Sequence, residues 1–214
     1  MAGSGDDESI EEFYVRTAEF PAGFMTEYKP GLLTSGEAKQ ELATGYPLGK
    51  RFKSARVVRR ADANDLHLGH QHRADGRWRI YVFADGAHPS EHSKLDDFAT
   101  WLGEDAASPV VRHTKAGDDA DSVFDVKVIY QQLHRDFEIT QAPTVFRPKT
   151  GPFQLEDWNQ IYGTLADVDI FDIRGISRDG AVVIVRPDMY VAHIAALDDT
   201  DSIARFFEPI FDLS

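Results

Sequence analysis

Three imidazoles fall within six positions, His67-Leu68-Gly69-His70-Gln71-His72. Histidine nitrogens are good ligands for zinc or iron, so His67, His70 and His72 are the candidate metal set of this chain. On an extended backbone His70 and His72 share one face and His67 takes the other. No carboxylate follows at the spacing of a known metal motif. The competing reading, which the pattern favours, is a polar connection ahead of the apolar segment RWRIYVF. Cysteine is absent from the whole chain. That removes a thiolate nucleophile, a disulfide and a thiolate metal site together.

Other chemistries find less support. Gly3-Ser4-Gly5 has no strand before it, and Gly117-Asp118 does not open a helix in a βαβ unit, so neither is a phosphate turn. No GxxxxGK[ST] or Gly-x-Ser-x-Gly sequence occurs. The residues therefore assign this chain no catalytic and no cofactor-binding position. Asp118, Asp119 and Asp121 read as a solvated acidic loop. Arg174 and Arg186 lie in apolar surroundings, where each can pair with a carboxylate such as Asp172 or Asp188 to fix a turn or an interface.

The elements that must carry these residues can be read from periodicity. Residues 1–9 are small and acidic and read as a disordered tail. Ile10, Phe13, Tyr14 and Thr17 have helical spacing up to Phe20, ahead of Pro21. The stretch FPAGFMTEYKPGLL then alternates aromatic residues with Gly and Pro. It cannot bury itself, so Phe20, Phe24, Met25, Tyr28 and Leu32 are interface candidates on an arm. Regular structure begins after Gly49. Ala55 to Arg59 and Arg77 to Phe83 read as strands, the second with Trp78, Ile80 and Val82 on one face. Ser93 is a helix N-cap, Leu95, Phe98, Ala99 and Leu102 form an apolar stripe, and Gly103 is a stop. Val123 to Tyr130 is a strand. Phe153 to Leu165 is expected as a second helix, with Trp158, Ile161, Tyr162 and Leu165 on one face. Ala181 to Val185 and Tyr190 to Ile194 form a hairpin across Arg186-Pro187-Asp188-Met189. A last helix carries Ile203, Phe206, Phe207, Ile210 and Phe211, with Pro209 expected to kink or shorten it.

This order of strand, helix, strand, helix, strand, strand, helix is that of an α/β thioredoxin-like fold, a mixed sheet flanked by helices, here without redox cysteines. An N-terminal arm precedes it. The expected division is a tail over 1–9, a helix and arm over 10–45, and the thioredoxin-like domain over 46–214. A net charge of −13 argues against nucleic acid or an anionic membrane as partner. No apolar run is long enough to span a bilayer, MAGSGDDES is too polar for a signal peptide, and lack of cysteine suits the cytoplasm.

The series FPAGFMTEYKP, GYPLGKRFKSARVVRRADANDLHLGHQHRADGRWRIYVFADG, VFDVKVIYQQ and DIFDIRGISRDGAVVIVRPDMYVAHI resembles the C-terminal region of the phenol 2-monooxygenase and 3-hydroxybenzoate 4-monooxygenase family. The likeness runs from Ile10 to Asp212, and its most specific parts are DGRWRIYVFAD and AVVIVRPDMYVAHI. The resemblance implies a thioredoxin-like domain tied to dimer contacts, following flavin and substrate domains. It implies FAD for the full-length family or for a partner, with no cofactor held by this chain. It also implies a homodimer or a flavin-bearing monooxygenase chain as partner. The family's flavin fingerprint and catalytic residues have no matching position here. Two other readings stay open: a free-standing module for an aromatic ligand, and a small metal-dependent enzyme built on the histidine cluster.

Overall fold

The computed structural model describes residue 13 and residues 23–211. The expected tail over 1–9, most of the helix expected to end near Phe20, and Phe20 itself lie outside the described residues.

Alternation builds the sheet. In β3 (Trp78–Phe83), Trp78, Ile80 and Val82 face one core layer, while Tyr81 and Phe83 face the other. β4 (Phe124–Leu133) lies parallel to β3, with Trp78 opposite Phe124 and Val82 opposite Val128. The crossover between them carries helix α1 (Lys94–Glu104). Ser93 starts that helix with a reciprocal cap: its hydroxyl accepts from the Leu95 N–H, and the Asp96 carboxylate accepts from the Ser93 N–H at 2.9 Å. A one-turn helix, α2 (Pro109–His113), follows.

β8 (Ala181–Val185) runs antiparallel to β3, β9 (Val191–Ala195) antiparallel to β8, and α4 (Thr200–Phe211) closes the chain. The strand order β4-β3-β8-β9, with α1 inside the parallel pair and α4 after β9, is the thioredoxin-like arrangement. Three further strands widen it beyond β4. They are β7 (Ile161–Thr164), parallel to β4, and then the hairpin of β1 (Arg56–Arg59) and β2 (Asn64–His67). A separate small hairpin joins β5 (Lys149–Thr150) to β6 (Leu155–Glu156).

Each sheet face has its own core. On one, α1 and α4 cover Ile80, Val82, Val126 and Ile184, and Phe207 meets Trp78 and Phe124 edge-on at 5.2 and 5.1 Å. On the other, Tyr46, Phe52 and Tyr81 stack as three near-parallel rings, each step 4.5 Å.

The expected helix from Phe153 to Leu165 does not form. That stretch holds β6, a 3-10 turn at Trp158–Gln160 and β7. Its apolar spacing fits a helix, but Ile161-Tyr162-Gly163-Thr164 pairs with β4 instead, burying all four residues. The strand passes so close to β4 that a Cβ on Gly163 would sit 2.7 Å from the Gln132 carbonyl oxygen. The crossover helix is displaced to a single turn, α3 (Ile170–Ile173). Two smaller expectations also shift: α1 passes Gly103 to end at Glu104, and α4 continues through Pro209 to Phe211.

The outer edge of β9 is covered by the segment ahead of the sheet. Ser35 donates to Ala192 at 2.8 Å, Lys39 to Ile194 at 3.0 Å and Gly49 to Val191 at 2.9 Å. An open edge would expose unpaired backbone groups, and these bonds from Ser35, Lys39 and Gly49 pair part of it.

Candidate functional site

The three histidines are not drawn together. His67 ends β2 and His70 lies in a 3-10 turn, their rings 5.0 Å apart. His72 turns away, its Nε2 3.1 Å from the Pro187 carbonyl oxygen. A carbonyl only accepts, so Nε2 carries the proton, leaving the buried Nδ1 without a partner. Burial lowers the His72 pKa, which suits this neutral form. Among the described residues no three His, Cys, Asp or Glu side chains are placed to share a metal ion.

The carboxylates and arginines singled out in the sequence have specific partners. Asp121 pairs with Arg77, and Asp119 accepts from the Gly151 N–H and Gln154 Nε2 at the β5–β6 turn. The acidic loop is therefore partly structural rather than wholly solvated. Arg186 pairs with Asp188 at 2.5 Å across the hairpin turn, as expected. Arg174 instead donates to the Ser54 carbonyl oxygen at 2.6 Å, and Asp172 is taken by Arg178.

A buried ionic network had no counterpart in the sequence reading. Asp125 and Lys127 alternate with apolar residues in β4 and so point to the same sheet face as Arg79 of β3. Asp125 bonds to Lys127 and lies 3.2 Å from the Arg79 Nε. That second contact is electrostatic only, because the N–H is not aimed at the carboxylate. Lys127 also donates to Gln160 at 2.8 Å, and Gln160 to Asp157 at 2.7 Å. Asp75 meets Arg79 from the other side at 2.8 Å. Burial lowers the Lys127 pKa, and Asp125 opposes that shift. Charges at alternate positions of an otherwise apolar strand were the available signal. Its central charges, Arg79, Asp125 and Lys127, are paired and buried, so they brace the sheet and offer no group to a substrate.

Of the described interface candidates, Tyr28 packs against the β8–β9 turn. Tyr28 is tied down: its N–H donates to Gly49 at 2.9 Å, its ring meets Tyr190 edge-on, and Arg186 lies over it at 4.3 Å. Gly49 has φ +71°, and a Cβ there would meet the Tyr28 oxygen at 2.1 Å, so this seat requires glycine. Met25, Tyr28, Leu32 and Leu33 nevertheless remain 40–59% exposed, while Phe24 is half-buried.

A dinucleotide does not fit the unit formed by β3 and α1. The α1 N-terminus is already capped by its own Ser93 and Asp96, and Asp96 and Asp97 place two carboxylates in its first turn. An incoming pyrophosphate would meet occupied donors and negative charge.

The family model described as phenol hydroxylase, C-terminal dimerisation domain, matches residues 26–213. The chain belongs to this family. It is 40% identical over 213 residues to a 3-hydroxybenzoate 4-monooxygenase of Comamonas testosteroni, covering 96% of this chain and 33% of that protein. It is 32% identical over 209 residues to the FAD-dependent monooxygenase terD of Aspergillus terreus, covering 93% and 34%. The chain thus spans about a third of the length of these curated relatives. Among solved structures it is similar to a putative protein disulfide isomerase from Bacteroides thetaiotaomicron, with TM-score 0.46 and 10% identity over 78% of this chain and 90% of that one. This dimerisation domain begins, in the family model, within the arm and includes the segment that covers β9.

Proposed function

We propose that this chain is the non-catalytic assembly domain of an FAD-dependent aromatic hydroxylase, pairing with a second copy or with a flavin-bearing monooxygenase chain. The match of the dimerisation-domain family over residues 26–213 carries this reading. On this reading the flavin and the catalytic groups lie outside this chain, and cytoplasmic hydroxylation of a phenolic ring is the activity served. The interface we assign is the arm, where Met25, Tyr28, Leu32 and Leu33 leave apolar surface in water. Sedimentation of the intact chain against a variant lacking residues 1–33 tests it. The expected result is a folded variant with weaker self-association or weaker capture of a flavoprotein. Unchanged association would remove the arm as interface, and a strictly monomeric intact chain that captures no flavoprotein would remove the assembly reading.

A second reading, a module for a small aromatic ligand, is favoured by one cavity of about 500 Å³. It lies between α1, α2 and residues 143–149, with Phe124, Val126 and Val145 among its walls and Arg147 at its rim. A thermal-shift screen with phenols and hydroxybenzoates checks it; no shift with any of them ends it.

A further inference from the structure

We infer that two copies of this chain dock by reciprocal insertion of the β5–β6 hairpin, the Phe153 ring of each copy filling the cavity beside α1 of the other. This contact presupposes the self-association proposed above, and it is separate from the arm. Phe153 and Leu155 are 83% and 69% exposed, more than any other large apolar side chain among the described residues. Both sit on one short hairpin, and apolar neighbours left together in water mark a surface that a partner covers.

Local structure holds them there. The hairpin turn has two left-handed positions, Gly151 at φ +72° and Gln154 at φ +50°. Glutamine meets a steric cost in that region, so the turn needs support from outside. Asp119 supplies it. Its two carboxylate oxygens accept from the Gly151 N–H at 2.9 and 3.0 Å, and Oδ1 also accepts from Gln154 Nε2 at 3.2 Å. The tip is thereby fixed before a partner arrives, which lowers the entropy lost on association. Lys149 and Glu156, at the root of the hairpin, line the cavity, and alternation along β6 turns Leu155 away from it. The hairpin walls its own cavity and carries its apolar tip outward.

The cavity suits an aromatic ring. It holds about 500 Å³, with the buried Ala99, Phe124 and Val126 and the half-buried Val110 and Val145 in its walls. Knob and hole lie side by side on one copy, so a two-fold axis brings each knob to the other copy's hole and closes the assembly at two. The charges at the cavity agree with that symmetry. Glu104 at the end of α1 and Lys149 at the start of β5 both line it, both are exposed, and neither has an ion pair among the described residues. The two-fold sets Glu104 of each copy against Lys149 of the other, an attraction made twice. Insertion removes from water about 300 Å² of Phe153 and Leu155 per copy and about as much of the receiving walls. The two contacts together then come to about 1,200 Å², the lower end of a specific interface.

Sedimentation equilibrium of the intact chain and two variants tests the contact. Phe153→Ser with Leu155→Ser removes the knob, and Thr100→Trp plugs the hole from an exposed position of α1 that lines it. Each variant alone should self-associate at least about tenfold more weakly, with its far-ultraviolet circular dichroism unchanged. A 1:1 mixture of the two should associate more tightly than either alone, because the knob of one copy then meets the open hole of the other. A general loss of folding would give no such recovery. A mixture no tighter than its components, or self-association that either variant leaves unchanged, overturns this contact alone and assigns the hairpin to a different partner. A monomeric intact chain overturns it together with the self-association that it presupposes.

Discussion

Replacing Asp125 by Asn should leave two buried cations facing each other without their shared anion. Arg79, Asp125 and Lys127 are all essentially sealed from water. An ion pair near 4 Å is worth about 4 kcal/mol at an effective dielectric constant near 20, and Asp125 serves two such pairs. The measured cost should be smaller than their sum. Arg79 keeps Asp75, and Lys127 can shed its proton, because burial already lowers its pKa. The expectation is about 3–5 kcal/mol, the range for removing one partner of a buried pair. Urea unfolding, followed by circular dichroism at neutral pH, measures it. The same reasoning sets a pH dependence. With Asp125 gone, the folded-state pKa of Lys127 falls further below its ordinary 10.5, so the unfolded chain holds that proton more tightly. Stability of the variant should therefore rise with pH between the lowered folded value and 10.5. Adding Lys127→Met should restore much of the loss, since it removes the stranded charge but keeps the volume. A cost below about 1 kcal/mol, or a double variant no better than the single one, would refute the network as described.

Phe207→Ala should cost about 3–5 kcal/mol, because the ring is fully buried among Trp78, Phe124 and Phe206; equilibrium unfolding checks it. His193 is buried against Phe206, and burial pushes its pKa down to about 4. The unfolded chain binds that proton more tightly, so stability should decline as pH falls from about 6.5 toward about 4; an NMR titration giving an ordinary histidine value would contradict this. The purified chain should show no visible flavin absorbance, because the capped, acidic start of α1 cannot hold a pyrophosphate; stoichiometric flavin retained through purification would show that reasoning to be wrong.

How much of this was legible in the sequence depends on the range of the forces involved. Local and periodic signals held: the alternation of Trp78, Ile80 and Val82, the Ser93 cap, the stripe of α4 and the β8–β9 hairpin all match the structure. Their causes lie within a few residues of one another, in strand pleat, capping geometry and helical pitch. The resemblance to a dimerisation domain was likewise carried by short, dense motifs. Where the deciding partner was distant, the sequence was silent or misleading. Residues 158–165 satisfy a helical spacing, yet pairing with β4 makes a strand of Ile161–Thr164, because two-sided burial in a parallel sheet outweighs local preference. The bonds that Ser35 and Lys39 make to β9 leave no trace in the local sequence. The strand VFDVKVIY shows charges at alternate positions, but only the register against Arg79 turns them into a paired, buried network. Sequence determines what each short stretch prefers; contacts made across more than a hundred residues, as between Arg174 and Ser54, exist only once the chain has closed on itself.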